Sequence, residues 1–296
     1  MCGIVGLFIK APELEQDLGR LLSAMLETMS DRGPDSAGFA IYGADKADLV
    51  KLTLSHSDPA ALERVAGALD THLGYPAERT IRSNHLIVSV RRADEERARA
   101  FATGAGLRVV GAGKRMEIFK EVGLPIQVAE QFGLAGMSGT HGIGHTRMAT
   151  ESAVTTNGAH PFSTGRDQCL VHNGSLSNHN SVRRELTREG LSFETENDSE
   201  VAAGYLTWRM REGASLREAL EESLKALDGF YTFVVGTENG FAVLRDPVSC
   251  KPAVMAETRD YVAFGSEYRA LAGLPGIESA HIFEPEPAKV YAWERA

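Results

Sequence analysis

The segment Cys2-Gly3-Ile4-Val5-Gly6-Leu7-Phe8-Ile9 decides how this chain is read. It is a short β-type apolar run, the pattern of a strand. Immediately before it stands Met1, and Cys is small enough to permit its removal. One residue would then carry both a thiol and a free α-amine. The thiol is a nucleophile once ionised, and the amine, with a reference pKa of roughly 7.7–8.0, is the only backbone group able to act as a base near neutral pH. That is the N-terminal variant of the nucleophile–base pair. Many chains begin Met-Cys by chance, so this reading needs an oxyanion hole and a substrate clamp elsewhere in the sequence.

The 296 residues are 43% hydrophobic and 24% charged, with a formal net charge of −9. This composition suits a globular chain of one large domain or two average ones. The acidic balance argues against nucleic acid or an anionic membrane as the main partner. The apolar run Cys2–Ile9 has no basic residues before it and is too short to span a bilayer, so no signal peptide is expected. Three cysteines, Cys2, Cys169 and Cys250, show no metal-binding spacing, and an odd number suits a reducing compartment; the cytoplasm is the expectation. His141, His145, His160 and His172 cluster in one region without a partnering Cys or an HExxH pattern, and are read as strand and loop residues, not metal ligands.

Short β-type runs alternate with amphipathic helices throughout. Strands are expected at Cys2–Ile9, Ser36–Tyr42, Leu49–Leu54, His85–Val90, Gly142–Arg147, Gln168–His172, Thr232–Gly236, Phe241–Asp246, Ala253–Glu257, Tyr261–Gly265 and Ala280–Phe283. Helices are expected at Glu13–Met29, Pro59–His72, Ala93–Ala102, Asn178–Glu189, Ser199–Arg211 and Leu216–Leu227. Ser215-x-x-Glu218 has the form of a capping box, and Gly190 and Gly213 stand where helices would stop. Near the C-terminus strands follow one another without helices, which favours antiparallel pairing and an α+β layered fold. The stretch from about 44 to 137 carries no site-like motif and reads as an insertion in one continuous domain, 1–296.

Four further segments carry chemistry. His172-Asn173-Gly174 follows an apolar strand, and a carboxamide and a glycine N–H converging there would stabilise an oxyanion. Taken alone, an Asn-Gly favours a strand-to-turn dipeptide. Gly144-His145-Thr146-Arg147 ends another strand; its arginine can grip a carboxylate bidentately, or serve in a structural ion pair. Asn197-Asp198-Ser199-Glu200 opens a helix, with Asn197 as N-cap. Asp198 either answers the helix dipole or pairs with a substrate ammonium. Asp31-Arg32-Gly33-Pro34-Asp35-Ser36 is a turn that would supply a wall of the site. Together these parts describe a pocket for a small amino acid, and glutamine fits it, with a zwitterionic head and a scissile amide at a fixed distance.

In this order the motifs Cys2-Gly3-Ile4-Val5-Gly6, Arg32-Gly33-Pro34-Asp35-Ser36-Ala37-Gly38, Gly144-His145-Thr146-Arg147-Met148-Ala149-Thr150, His160-Pro161-Phe162, His172-Asn173-Gly174 and Asp198-Ser199-Glu200 resemble the class II glutamine amidotransferases. Arg245-Asp246-Pro247 and Gly265-Ser266-Glu267 resemble later segments of that family. The resemblance implies an N-terminal-nucleophile hydrolase fold, a four-layer αββα sandwich of two stacked antiparallel sheets. It implies that Cys2 is the nucleophile, that Asn173 and Gly174 form the oxyanion hole, that Arg147 binds the substrate carboxylate and Asp198 its amine, and that Thr150 lines the glutamine site. Met148 replaces an aromatic residue of several relatives, and Glu151 a histidine of the sugar-phosphate aminotransferases.

No sugar isomerase, phosphoribosyltransferase or SGGxDS segment follows the glutaminase region, so the ammonia acceptor is expected on another polypeptide. The chain is similar to the amidotransferase subunit of split glutamate-synthase-like complexes, the N-methylglutamate synthases (methylamine–glutamate N-methyltransferases) among them. That similarity implies no cofactor in this chain, and partner subunits that resemble the FMN- and iron–sulfur-binding part and the β-helical part of glutamate synthase. Two other readings stay open: a stand-alone N-terminal-nucleophile amide hydrolase, and a catalytically inactive scaffold or gating subunit.

Overall fold

The computed structural model describes residues 2–46, 48–149 and 154–295. Along the chain these form β1 (Gly3–Ile9), α1 (Leu18–Glu27), β2 (Ser36–Tyr42), β3 (Leu49–Ser55), α2 (Pro59–Leu73), β4 (Glu78–Arg82), β5 (His85–Arg91), α3 (Glu95–Gly104), β6 (Arg108–Gly113) and β7 (Met116–Val122). There follow α4 (Pro125–Phe132), β8 (His141–Arg147), β9 (Phe162–Gly165), β10 (Gln168–Leu176), α5 (His179–Arg188), α6 (Asp198–Arg211), α7 (Leu216–Ala226), β11 (Gly229–Gly236), β12 (Gly240–Arg245), β13 (Val254–Glu257), β14 (Tyr261–Gly265), β15 (His281–Phe283) and β16 (Tyr291–Glu294).

The alternation of side chains along β1 shows how the layers stack. Val5, Leu7 and Ile9 point one way, into a core shared with Leu22, Met25 and Leu26 of α1 and with α4. Ile4 and Phe8 point the other way, into a core shared with Val171 of β10, Val234 of β11 and Phe241 and Val243 of β12. Gly6 lies on this second face, where a Cβ would rest 3.6 Å from the Phe241 ring. A strand apolar on both faces is thus sandwiched between a helical layer and another sheet. Full burial of each such aliphatic side chain contributes about 1.5–3 kcal/mol.

β1 lies inside a seven-stranded sheet of order β15-β13-β14-β1-β8-β2-β7, and the facing five-stranded sheet has order β16-β12-β11-β10-β9. All named strand pairs are antiparallel. On the outer face of the five-stranded sheet, α5, α6 and α7 bury Leu186, Val201, Leu206 and Leu220 against Leu170, Phe233 and Leu244. The result is the α+β, four-layer αββα sandwich. A further four-stranded sheet, β4-β5-β3-β6, carries α2 and α3 and its own core of Leu52, Leu62, Leu69, Val88 and Ala98. β7, next in the chain, returns to the main body as the edge strand beside β2.

Local chemistry fixes the ends of the elements. Ser215 and Glu218 form a reciprocal capping box at the start of α7. Gly190 and Gly213 take left-handed φ values of +86° and +100° just beyond α5 and α6. Among the described residues no helix is long and apolar enough to cross a membrane.

Candidate active site

Cys2 is half-buried at the mouth of β1. Its carbonyl oxygen accepts from Arg32 Nε at 3.1 Å and from Asn173 Nδ2 at 3.2 Å. The residues that follow are equally constrained. Ile4 N donates to Ser266 Oγ at 2.9 Å, and Ser266 N donates back to the Ile4 carbonyl at 2.9 Å. A Cβ on Gly3 would sit 2.8 Å from Thr146 Oγ1 and 2.9 Å from Met29 Cβ, so only glycine fits against β8 there.

Arg32 is 8% exposed and pairs through Nη1 with Glu267 Oε1 at 2.5 Å. The Arg32 hydrogen bond, aided by Arg269, holds the Glu267 carboxyl below the usual carboxylate range. The turn 31–36 therefore does more than wall the site: its arginine grips the backbone of the proposed nucleophile. Gly33 lets this turn lie on β8, since a Cβ there would meet the Thr146 carbonyl carbon at 2.4 Å.

Asn173 and Gly174 do not end their strand, as the sequence suggests. β10 continues to Leu176, and the two pair with Thr232 and Tyr231 of β11. The strand tolerates the glycine at φ +153° because β11 packs flush against it: a Cβ on Gly174 would lie 2.0 Å from the Phe230 carbonyl oxygen. Asn173 is 3% exposed.

Asp198 opens α6 as expected, with the Asn197 side chain accepting from Ser199 N at 2.9 Å. Asp198 Oδ2 accepts from Leu176 N at 2.8 Å, which joins the start of α6 to the end of β10. Glu200 turns elsewhere, accepting from the N–H groups of Glu194 and Thr195 at 2.8 Å each. Arg147 ends β8 and is 7% exposed. It lies one residue beyond the Gly3–Thr146 pair, at the same end of that pair as Cys2. A Cβ on Gly158 would come within 3.2 Å of its Nη1. Thr150, and Glu151 with it, lie outside the described residues.

Behind these residues is a group of buried imidazoles that the sequence did not flag as part of the site. His145 and His160 stack with centroids 4.0 Å apart, and His145 Nε2 donates to the His172 carbonyl at 3.0 Å. Ser199 Oγ lies 2.8 Å from both His160 Nε2 and His172 Nδ1. Burial pushes His145 down to about 3, and His160 and His172 are lowered by the same cause, so all three are neutral at pH 7. The 3.8 Å approach of His172 Nδ1 to Asp198 Oδ1 is accordingly no ion pair.

Lys120 anchors the segment leading to His160, donating to the carbonyls of Asn157, Ala159 and Pro161 at 3.2, 2.9 and 3.3 Å. Burial lowers it to about 8. A cavity of about 500 Å³ opens on Lys120 and Glu200 where β6 and α3 face β9 and α6. Its lining includes neither Cys2 nor Asn173, Gly174, Asp198 or Arg147.

Two facing antiparallel sheets between helical layers make the fold of the N-terminal-nucleophile hydrolases, with a cysteine at the mouth of a central strand and a carboxamide beside it. Residues 145–273 match the family described as Glutamine amidotransferase domain. The chain is 60% identical to the glutamine amidotransferase-like protein GlxB of Rhizobium meliloti, over 99% of this chain and 98% of that protein. It is 36% identical to the glutamine–fructose-6-phosphate aminotransferase of Vibrio vulnificus over 46% of this chain and 22% of that one. The glutamine phosphoribosylpyrophosphate amidotransferase of B. subtilis shares the fold: TM-score 0.64 at 20% identity, covering 99% of this chain and 47% of that chain. The chain belongs to the class II glutamine amidotransferases.

Proposed function

We propose that this chain hydrolyses the side-chain amide of glutamine with Cys2 as nucleophile and delivers the ammonia to a partner synthase subunit. With Met1 removed, the α-amine of Cys2 takes the thiol proton as the sulfur attacks the amide carbonyl carbon. Asn173 Nδ2 and the Gly174 N–H receive the negative charge that develops on oxygen. The tetrahedral adduct collapses, the C–N bond breaks, and the amine returns its proton to the departing ammonia. The amine then deprotonates a water that attacks the γ-glutamyl thioester, releasing glutamate and the Cys2 thiolate. Arg147 holds the α-carboxylate, Asp198 the α-ammonium, and Thr150 lines the pocket.

The observation that carries this reading is the Asn173 Nδ2 to Cys2 carbonyl contact at 3.2 Å, because it sets a carboxamide donor beside the residue that bears the thiol. A preorganised donor at that place typically contributes 10²–10³ in rate. A lone amide hydrolase would have no need of the buried arginine of β8 and the first-turn aspartate of α6 in the same region.

For the acceptor we favour an N-methylglutamate synthase (methylamine–glutamate N-methyltransferase), with FMN and iron–sulfur clusters on partner subunits. The order of the motifs and the match to GlxB over 98% of that protein's length support the amidotransferase half of this reading. The choice of synthase rests on the resemblance of the chain to the amidotransferase subunit of split glutamate-synthase-like complexes. The test is twofold. Cys2→Ala should abolish glutamine hydrolysis with the circular dichroism spectrum unchanged; activity surviving in that variant overturns the mechanism. The tagged chain purified from its native host should bring with it flavin- and iron–sulfur-containing subunits that form N-methylglutamate from glutamate and methylamine. A complex without that product overturns the choice of synthase.

A further inference from the structure

Ser199 sits between the buried imidazoles and the aspartate that opens α6, and its contacts allow the protons to be assigned. Its Oγ is 2.8 Å from His160 Nε2, 2.8 Å from His172 Nδ1 and 3.4 Å from Asp198 Oδ1. A hydroxyl donates one hydrogen bond and accepts two. His160 Nδ1 and His172 Nε2 are buried and have no hydrogen-bond partner among the described residues. Were Ser199 to donate to either ring, that neutral ring would carry its proton on the unpartnered nitrogen and leave a buried N–H unpaired. Orphaned buried N–H groups are rarer in folded proteins than under-satisfied acceptors. A single arrangement leaves no buried N–H unpaired and only bare ring nitrogens without a partner: both imidazoles donate to Ser199 Oγ, and the hydroxyl proton is left to point at Asp198 Oδ1. His145 fits the same scheme, with Nε2–H on the His172 carbonyl and a bare Nδ1.

We propose that Ser199 is a positioning residue for glutamine binding, held by the His160 and His172 imidazoles so that its hydroxyl orients the Asp198 carboxylate toward the substrate ammonium. The proposal rests on the role given to Asp198 above. With Leu176 N on Oδ2 at 2.8 Å and Ser199 on Oδ1, both oxygens of Asp198 are fixed in direction before substrate arrives. The bridge also links the segments that bear the site. His172 precedes Asn173, Ser199 follows Asp198, His145 stands two residues before Arg147, and His160 closes the segment that Lys120 anchors.

The test compares Ser199→Ala and Ser199→Thr with the wild-type chain, all assayed for glutaminase well below their melting temperatures. Ser199→Ala should raise KM for glutamine about ten- to thirtyfold, weaken glutamate binding by a similar factor, and change kcat less than threefold. Ser199→Thr, which keeps the hydroxyl, should restore KM. A lower melting temperature in Ser199→Ala with unchanged KM would overturn the proposal and leave Ser199 a purely structural residue. If Ser199→Ala fails to fold, His160→Gln reads the same bridge, since its amide can donate in place of Nε2–H; wild-type KM is expected there, and a KM as poor as in His160→Ala would refute the bridge. Labelling of Cys2 by a glutamine-analogue electrophile in the wild type separates the two levels. Absent labelling sinks the role given to the whole site, whereas normal labelling with an indifferent Ser199→Ala sinks this inference alone.

Discussion

Asn173→Ala is the substitution whose consequence follows most directly from the geometry. The Asn173 carboxamide is 3% exposed and donates to the Cys2 carbonyl at 3.2 Å. Removing it has two effects of different size. The tether to Cys2 is a neutral hydrogen bond, worth about 0.5–1.5 kcal/mol net. The Cys2 carbonyl is not orphaned by its loss, because Arg32 Nε still donates at 3.1 Å, so stability should fall by only about 1 kcal/mol. The oxyanion donor is lost in the transition state alone, which predicts a drop in kcat of about 10²–10³, equivalent to about 2.7–4 kcal/mol, with KM nearly unchanged. Asn173→Asp, of nearly the same shape, replaces the donor by an acceptor facing the developing negative charge and should be no more active than Asn173→Ala. The assay is steady-state glutaminase coupled to glutamate detection, beside thermal unfolding of each variant. A folded Asn173→Ala chain with kcat within fivefold of wild type would refute the oxyanion role.

Arg147→Lys keeps the charge but loses the fork geometry, so glutamate binding measured by calorimetry should weaken at least tenfold, and unchanged binding would refute the clamp. Stability should also depend on pH in a stated direction. His85, His141 and His145 are each pushed down to about 3 by burial, against about 6.5 in an unfolded chain. Above pH 6.5 these residues are neutral in both states and contribute no pH dependence. As pH falls from 6.5 toward 3 the unfolded chain binds protons that the folded chain refuses, so stability is lost across that window. At pH 5.5 each costs about 1.4 kcal/mol, about 4 kcal/mol for the three together. Urea unfolding at pH 7.5 and 5.5 checks this, and equal midpoints would contradict the neutral buried state.

The central strands were legible because their apolar runs are bounded by clear punctuation. Ser36–Tyr42 and Tyr261–Gly265 are found at the expected bounds. β7 and β9 were not legible, because their strand character comes from tertiary partners: Lys120 in β7 is buried only because three carbonyls of 157–161 surround its ammonium. α4 carries a local signal in the sequence, Pro125 at its first position and Gly133 beyond its end at φ +68°. In the site, Asp198 and its Asn197 cap follow from local rules. Arg32 did not, since its partners Cys2 and Glu267 are 30 and 235 residues away in sequence. The imidazoles looked like ordinary strand and loop residues because only the stacking of two sheets brings His145, His160 and His172 together. The Asn173-Gly174 pair resembled a turn, and only the flush packing of β11 keeps it within a strand.

The central claim is that Cys2, freed of Met1, is a nucleophile that recognises glutamine. Intact mass with peptide mapping after incubation with 6-diazo-5-oxo-norleucine tests it most directly. The account predicts a chain lacking Met1 and a single adduct on Cys2, prevented by excess glutamine and absent in Cys2→Ala. A chain that keeps Met1 and takes no adduct, or one labelled at Cys169 or Cys250 instead, would contradict it.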